Sequence, residues 1–567
     1  MNGNLNESSA DEISALPFQL TKPALIDWLN GLNLQDPYKA CCQLNAVLNQ
    51  LNGLSIPLKL KCQLYEHITP VADNLVEKND RGLLDTKFPV TDDEEAQMEV
   101  ANAIFRALFT GLLAMVPELG RQTNVVLSRL EQAVVLYLAL HASAQIQLLS
   151  KMMYAELEDH FWAECYRVFK CAEELTLVDL LLPELTYKTR TIDAVFKNIL
   201  IFEACDCQSL SPREMKRLKE LLESYVDYAH IEDTVEVDVL QNTYGFNFEN
   251  ESAPKRITDH DSFSRYLDVF PVAMQINKML PLELGVKTAQ QKAIGTLLVK
   301  AVNSLSLVHS RKYRRLAAHG EISAYLGFAS IISYLAVGQE KTINQKTSLP
   351  GVERQEMLGF WKVPDLDLVP LDTDFDYQTK QPHFSKSKPK IPWPDLGKEH
   401  RNKATLPDSD SADVLDNRAG AKTPEVDFEF IDTSIKGYGF IMKPQAGRVK
   451  VGELLGIKQN QGKRLEIGLL KRINKLDNQS IRLGIELIAL ESEAVWATSS
   501  SSVRKEGFWA VFIPKITALR VKDSLLLSSG IMRSGQTVSF ERKGQSMAFK
   551  LGRMMHTTSA GDHFELV

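Results

Sequence analysis

The sequence predicts a multidomain protein in which a helical N-terminal region is followed by an antiparallel β-domain. Three observations support this fold class. The chain has 567 residues, more than one hydrophobic core usually serves. Apolar residues recur at helical spacing from about residue 20 to residue 230. From residue 426 the pattern changes to short strand-like segments separated by Gly, Asn and Asp, which indicates a barrel or a sandwich.

A helical domain is predicted over residues 21–230. Leu44, Val47 and Leu51 recur every three or four residues and form one apolar stripe. The tetrapeptide Ser-Pro-Arg-Glu at residues 211–214 is a capping box with proline in the first helical position. These features are typical of amphipathic helices that pack on one another.

Residues 1–20 are polar and acidic, and we expect them to be disordered. They contain no basic segment followed by an apolar core, which argues against a signal peptide. The longest apolar stretches, at residues 104–116, 134–149 and 323–338, are expected to be too short or too interrupted to cross about 30 Å of hydrocarbon. We therefore expect a cytoplasmic protein without membrane insertion.

A mixed, mostly helical connecting region is predicted over residues 231–307. Within it, residues 235–239 alternate as in a strand or an extended linker, and a helical pattern runs from about residue 261 to residue 310. Residues 338–424 are rich in Pro, Lys, Asp and Ser and contain few aliphatic clusters. Such a composition cannot bury enough apolar surface to offset chain entropy, so we expect a disordered insert.

Strands are predicted on both sides of this insert. Before it, Glu321–Leu326 alternates between apolar residues and polar or small ones. After it, strand candidates occupy residues 428–432, 439–443, 449–457, 464–473, 480–490, 507–514 and 546–551.

The first candidate binding motif is a group of arginines, Arg311, Arg314 and Arg315, just ahead of the strand at Glu321–Leu326. A guanidinium group grips a phosphate, or the O6/N7 edge of guanine, with two hydrogen bonds. Its flat face also stacks on a base. The alternative interpretation is a basic helix C-terminus favoured by the helix dipole.

The second candidate motif consists of Asp432, Ser434 and Gly437, at the end of one predicted strand and the turn into the next. The Asp432 carboxylate can accept hydrogen bonds from N1–H and N2–H of guanine, and Ser434 is a compact donor and acceptor. Gly437 permits a close backbone approach. The alternative interpretation is an ordinary turn. Together the two motifs suit a ligand that contains both guanine and phosphate.

In this order, the two motifs resemble the signature of the PilZ domain, the bacterial receptor module for cyclic di-GMP: RxxxR, a strand, then [D/N]xSxxG. The segments at residues 451–453, 467–472 and 483–486 are similar to later strands of that barrel. The resemblance covers residues 308–337 and 425–490. It extends to a group of bacterial proteins in which a long helical region precedes a PilZ-like domain. It implies an antiparallel PilZ-like β-barrel, with residues 491–567 as an additional β extension.

The resemblance also implies roles for the motif residues. Arg311 and Arg315 would form a mobile arm that wraps the ligand and stacks on its bases, with Arg314 able to replace either. The barrel-side site for guanine would consist of Asp432, Ser434 and Gly437.

The spacing of the two motifs departs from that family. Arg315 and Asp432 are 117 positions apart, whereas the family has a few tens of residues there. Removal of the predicted insert restores the usual spacing. A long loop inside one barrel connection is tolerated because closure entropy grows only logarithmically with loop length.

Composition and motifs argue against several other functions. The net charge of −7 argues against a general DNA or RNA binder. Seven cysteines, an odd number without zinc-site spacing, fit reduced thiols of a cytoplasmic protein. The chain lacks the short signatures of phosphate-binding loops, dinucleotide folds, zinc proteases and serine hydrolases. The dipeptide at His260 and Asp261 occurs in metal-dependent phosphohydrolases, but here it fits a helix N-terminus. We therefore expect no enzyme, no metal and no cofactor.

The function expected from the sequence is that of a cyclic di-GMP-binding effector. It would relay the second-messenger level to an unknown protein partner through its helical region. One alternative is a nucleotide-independent interaction scaffold with a degenerate PilZ-like barrel, because disordered inserts are typical of partner binding. The other is a hydrolase centred on His260 and Asp261.

Overall fold

The computed structural model describes residues 16–119, 127–183, 191–234, 242–257, 263–284, 289–306, 315–336, 425–434, 436–458, 465–476, 480–499, 507–515, 522–557 and 561–567. The disorder predicted for residues 1–15 and 338–424 falls outside these ranges. Residues 16–20, also assigned to the disordered N-terminus, pack against the rest of the protein. Leu16 is buried, and the ring of Phe18 lies 5.4 Å from that of Trp28.

The helical region comprises α1 (Lys22–Asn30), α2 (Pro37–Gly53), α3 (Leu58–Asp80), α4 (Asp92–Leu113), α5 (Val116–Leu119), α6 (Arg129–Met152), α7 (Phe161–Glu174), α8 (Ile192–Ala204) and α9 (Pro212–Leu222). The predicted capping box at Ser211 is present, and Thr91 and Ser128 begin α4 and α6 in the same way. In each case the hydroxyl and a following glutamate satisfy backbone N–H groups that the first helical turn leaves free.

The expectation that the apolar stretches are too short to span a membrane was wrong for two of them. The segments Asp92–Leu119 and Arg129–Met152, with 28 and 24 residues, are long and apolar enough by length and composition. The predicted apolar stretches ended at the first flanking polar residues, whereas the helices continue through those residues. Most of each apolar window is buried inside the protein, 67% and 89% respectively, because other helices of the region pack around α4 and α6.

The connecting region contains a small antiparallel sheet with the strand order β1-β4-β2-β3. Its strands are β1 (His230–Glu232), β2 (Thr243–Phe246), β3 (Lys255–Arg256) and β4 (Arg265–Asp268), and they are followed by α10 (Phe270–Leu284) and α11 (Ala289–Ser306). Strand β4 lies where the sequence predicted the start of a helix, because it pairs on both edges and buries Leu267 completely. The strand predicted at residues 235–239 lies outside the described residues.

The first barrel is formed by β6 (Glu321–Leu326), β7 (Glu425–Ser434), β8 (Gly437–Met442), β9 (Leu454–Lys458), β10 (Leu465–Lys475) and β11 (Ile481–Ala489). Antiparallel pairing in the order β7-β6-β9-β10-β11-β8 is closed by a β7–β8 pair. A short strand, β5 (Leu316–Ala317), pairs with the end of β7. A helical N-terminal region followed by an antiparallel barrel confirms the predicted fold class.

The C-terminal part forms a second closed barrel, in the order β12-β13-β14-β17-β16-β15. Its strands are β12 (Glu493–Ser499), β13 (Gly507–Ile513), β14 (Ser524–Leu527), β15 (Thr537–Arg542), β16 (Gln545–Thr557) and β17 (Asp562–Leu566). This barrel has an interior core of its own, which includes Phe512, Leu525 and Phe564.

A helix, α12 (Gly327–Ala336), lies between the two barrels. Its Ile331 and Ile332 share an apolar cluster with Leu465 of the first barrel and Val511 of the second. The helical region and the first barrel are joined more extensively, since one continuous hydrophobic core runs through both. The first barrel therefore packs against both the helical region and the second barrel.

Candidate ligand-binding site on the outer face of the first barrel

Arg315 and Asp432 meet at the end of β7. Strand β5 pairs Leu316 with Thr433 and Ala317 with Asp432, which places the preceding residue, Arg315, beside the carboxylate. Nη1 of Arg315 donates to both carboxylate oxygens of Asp432, over 3.0 and 3.1 Å. Two residues that are 117 positions apart in the chain are thus joined by one ion pair.

A second arginine, Arg482 on β11, contacts the same carboxylate. Its Nη2 lies 3.2 Å from Oδ2 of Asp432. The Asp432 side chain is only 12% exposed, whereas those of Arg315 and Arg482 are 42% and 48% exposed. The site is therefore a nearly buried carboxylate with a half-exposed guanidinium on either side.

Sequence reasoning missed Arg482. The alternation of β11 indicates that it faces outward, since its neighbours Ile481 and Leu483 are buried. Nothing in the linear pattern shows that β8 lies between β11 and β7, so the contact with Asp432 depends on the strand order of the closed barrel.

Gly439 makes the contact between Arg482 and Asp432 possible. It pairs with Asp432 on one side and with Gly484 on the other. A Cβ at Gly439 would lie 2.7 Å from Oδ1 of Asp432. Because Gly439 has no side chain, the carboxylate lies over β8 and the guanidinium of Arg482 reaches it across that strand.

Ser434 and Gly437 lie two and five positions beyond Asp432, around the turn from β7 to β8. Oγ of Ser434 donates to the carbonyl oxygen of Gly437 over 3.3 Å. A Cβ at Gly437 would lie 2.1 Å from the backbone oxygen of Ile485, so only glycine fits this close approach of β8 to β11. Ser434 lies two residues from Asp432 on the same strand and therefore on the same face.

An additional group of charges lies next to the turn. Nζ of Lys471 is 3.0 Å from Oε2 of Glu486, the residue that pairs with Gly437. Burial raises the pKa of Glu486, but the charges of Lys471, His556 and Lys436 outweigh it and hold the pKa below its ordinary value. The glutamate therefore stays ionised and offsets part of the positive potential around the site.

The remaining predicted site residues, Arg311 and Arg314, lie outside the described residues, as do His260 and Asp261. The structure brings together Arg315, Asp432 and the turn that carries Ser434 and Gly437, as the motifs require. In the described ranges, no group of three or more His, Cys, Asp or Glu side chains is placed to hold a metal ion.

Asp432 between Arg315 and Arg482 is suited to a ligand that carries both a negative charge and two neighbouring N–H donors. Each oxygen of a carboxylate can accept from one donor of such an edge. The two guanidinium groups offer forked donors to a phosphate or flat faces to a base.

Comparison with known families gave two matches to the chain. Residues 23–236 match the family model described as the N-terminal domain of the cyclic-di-GMP receptor FimW. Residues 255–493 match the model described as the middle PilZ domain of the same receptor. The second barrel, which begins at Glu493, lies beyond these matches except for its first residue. No curated protein and no solved structure matches the chain significantly.

Proposed function

Because the chain belongs to the cyclic-di-GMP receptor FimW family, we propose that cyclic di-GMP binds on the outer face of the first barrel. Asp432 accepts from the N1–H and N2–H edge of one guanine, beside Ser434 and Gly437. The arginine arm, Arg311, Arg314 and Arg315, closes over the ligand. The protein then acts as a receptor rather than as an enzyme.

The observation that carries this proposal is the Arg315–Asp432–Arg482 contact. The two arginines occupy the carboxylate oxygens that guanine donors need. The arginine ends of these pairs are half-exposed, so a ligand can displace them, and its own N–H donors then take their place on the nearly buried carboxylate. Arg315 is then free to stack on a base or to hold a phosphate.

The domain division expected from the sequence remains part of the proposal, with the ligand-binding barrel drawn from residues 308–337 and 425–490. We also propose that ligand binding is relayed to a protein partner through the helical region. Support comes from helix α11, which ends at Ser306, five positions before Arg311. Contact of the arginine arm with the ligand would thereby act on a helix that packs on the helical region.

The proposal is tested by calorimetric titration of the full chain with cyclic di-GMP. We expect binding by the wild type and a loss of at least about tenfold in affinity for Arg315→Ala and Asp432→Ala, because each removes a charge-assisted contact. Arg533→Ala, an exposed arginine on the second barrel, is the matched control and should bind as the wild type does.

The opposing result is a wild-type protein that shows neither heat of binding nor a thermal shift with cyclic di-GMP. Partner capture that is indifferent both to the nucleotide and to Arg315→Ala would favour the nucleotide-independent scaffold instead.

A further inference from the structure

Four residues on four neighbouring strands form a row across the outer face of the first barrel. Asp432 on β7 pairs with Gly439 on β8, Gly439 pairs with Gly484 on β11, and Gly484 pairs with Arg472 on β10. Directly opposed residues of antiparallel strands lie on the same face of a sheet. At about 4.8 Å per strand, the row extends roughly 14 Å from Asp432 to Arg472.

The middle of this row carries no side chains. A Cβ on Gly439 would meet the Asp432 carboxylate at 2.7 Å, and one on Gly484 would meet Cβ of Arg472 at 3.3 Å. The two glycines therefore leave room for their neighbours: the Asp432 carboxylate lies over Gly439, and the stem of Arg472 lies beside Gly484. No side chain of the row stands between the Asp432 carboxylate and Arg472, so an anionic group attached to a base at Asp432 comes within reach of Arg472.

Arg472 also contacts the helical region. Its Nη2 lies 2.6 Å from Oδ2 of Asp206, in the turn after α8. The backbone N–H of Asp206 donates to Oγ of Ser304 over 3.3 Å, and Ser304 belongs to α11. The Arg472 side chain is 52% exposed, so it can turn toward a ligand without disturbing the core.

We propose that Arg472 is a further ligand-binding residue, which exchanges Asp206 for a phosphodiester of the bound cyclic dinucleotide. The inference rests on the proposed function. It assigns to Arg472 the transmission of ligand binding from the barrel to the helical region. A guanine held by Asp432 lies at one end of the row, and the second half of the dinucleotide extends toward Arg472 at the other end. Release of Asp206 then loosens the turn that is hydrogen-bonded to α11.

The exchange predicts opposite effects for the two partners of the ion pair. Arg472→Ala should weaken cyclic di-GMP binding by about tenfold, since a hydrogen-bonded charge is removed from the phosphate. Asp206→Asn should strengthen binding by about twofold to fivefold, because Arg472 no longer has to leave a carboxylate and an exposed ion pair is weak. The substitution keeps the backbone N–H of residue 206, which donates to Oγ of Ser304.

The decisive measurement is the double-mutant cycle, with affinities from calorimetry on the full chain. In the Arg472→Ala background, Asp206→Asn should leave the affinity unchanged. Arg213→Ala is the matched control, because Arg213 also pairs with an aspartate, Asp85, but lies on α9. It should bind as tightly as the wild type.

A second readout follows the turn itself. Saturating cyclic di-GMP should accelerate hydrogen exchange of the amides at residues 206–209 in the wild type, and it should have no such effect in Arg472→Ala.

The failures are distinguishable. If the wild type does not bind cyclic di-GMP, the proposed function and this inference both fall. If the wild type binds and Asp432→Ala abolishes binding, while Arg472→Ala and Asp206→Asn bind like the wild type, only this inference is overturned. An Asp206→Asn effect of equal size in both backgrounds also overturns it, because the gain would not involve Arg472.

Discussion

Gly439 determines how closely a carboxylate and two arginines meet on the barrel. In Gly439→Ala the new methyl group would lie 2.7 Å from Oδ1 of Asp432 and must displace that carboxylate. The displaced group is the end of a side chain, so the barrel itself can stay intact. We expect an affinity for cyclic di-GMP at least about tenfold lower, because the carboxylate no longer meets the guanine edge. Calorimetry measures the affinity, and thermal unfolding should show little change.

Two other glycines serve as controls for this substitution. Gly82→Ala adds a methyl group that meets no atom within 4 Å, so neither binding nor stability should change. Gly437→Ala places the methyl group 2.1 Å from a backbone oxygen and should lower stability. Wild-type affinity in Gly439→Ala would show that Asp432 is not the acceptor for guanine.

Lys219 is a buried amine inside the helical region, and its titration makes the free energy of unfolding depend on pH. Its Nζ donates to the backbone oxygen of Ala144 and lies near the ring of Phe202. Burial lowers the pKa of this ammonium group from 10.5 to about 7. In the unfolded chain the pKa is about 10.4, so between about pH 7 and pH 10 the unfolded state binds more protons.

The free energy of unfolding should therefore rise with pH across that window. Relative to Lys219→Met, we expect the wild type to gain up to about 1.4 kcal/mol per pH unit between about pH 7 and pH 10. Below pH 7 the lysine is charged in both states, and the difference between the two proteins should level off. Urea unfolding at pH 7, 8 and 9 measures this slope, and a pH-independent difference would contradict the prediction.

Two strands with clear alternation were predicted close to their observed positions. Strand β11 (Ile481–Ala489) was predicted at residues 480–490, and β10 (Leu465–Lys475) at residues 464–473. Strands β12, β14, β15 and β17 were not predicted. Strand β15 alternates in burial and could have been found from the sequence, whereas β14 and β17 lack alternation. All four residues of β14 are buried, and β17 buries the polar residues Asp562 and His563. A strand enclosed on both faces does not show a period of two.

Helix α12 (Gly327–Ala336) is the element for which local pattern was least informative. It follows the strand β6 within one apolar stretch, and the left-handed backbone of Gly327, with φ of 80°, marks the change between them. A short apolar run fits a buried strand or a buried helix equally well. The helix is preferred here because Ile331 and Ile332 fill the space between the two barrels.

In the assembled molecule, Arg448 is the main polar contact between the helical region and the first barrel. Its guanidinium donates to the backbone oxygens of Lys87 and Pro89 and to the carboxylate of Glu94, over 2.5 to 3.2 Å. One barrel side chain thus satisfies acceptors from the loop before α4 and from the first turn of that helix.

A backbone contact lies beside this arginine. Phe88 and Val449 exchange two hydrogen bonds of 2.7 Å. The helical region is therefore joined to the barrel by one antiparallel backbone bridge. Val449 forms only this isolated bridge, and the strand predicted over residues 449–457 begins at Leu454.

Arg448→Ala should weaken this attachment. We expect a loss of about 2–3 kcal/mol in the free energy of unfolding at pH 7, because several acceptors lose a charged donor. Burial raises the pKa of Glu94, but hydrogen bonds from Arg448, Thr86 and Thr91 outweigh it and hold the pKa at about 2. The carboxylate therefore contributes stability that is present above its ordinary pKa of 4.5 and is lost as the pH falls toward 2.

The measurement is urea unfolding of the wild type and Arg448→Ala at pH 7 and pH 3. The difference between them should be smaller at pH 3. Arg213→Ala, which removes an exposed ion pair with Asp85, should change stability by less than about 1 kcal/mol. Equal stability of the wild type and Arg448→Ala at pH 7 would rule out this role for Arg448.

Local patterns in the chain were sufficient to predict a helical region followed by a β-domain and to select Arg315, Asp432, Ser434 and Gly437 as candidate site residues. Periodicity and turn chemistry are properties of neighbouring residues, so they are visible in the linear sequence. The folded protein was needed to show that Arg482 shares the Asp432 carboxylate and that two glycines connect Asp432 to Arg472. These contacts depend on which strands lie side by side in a closed barrel, and that order is set by packing of the whole core rather than by any local pattern.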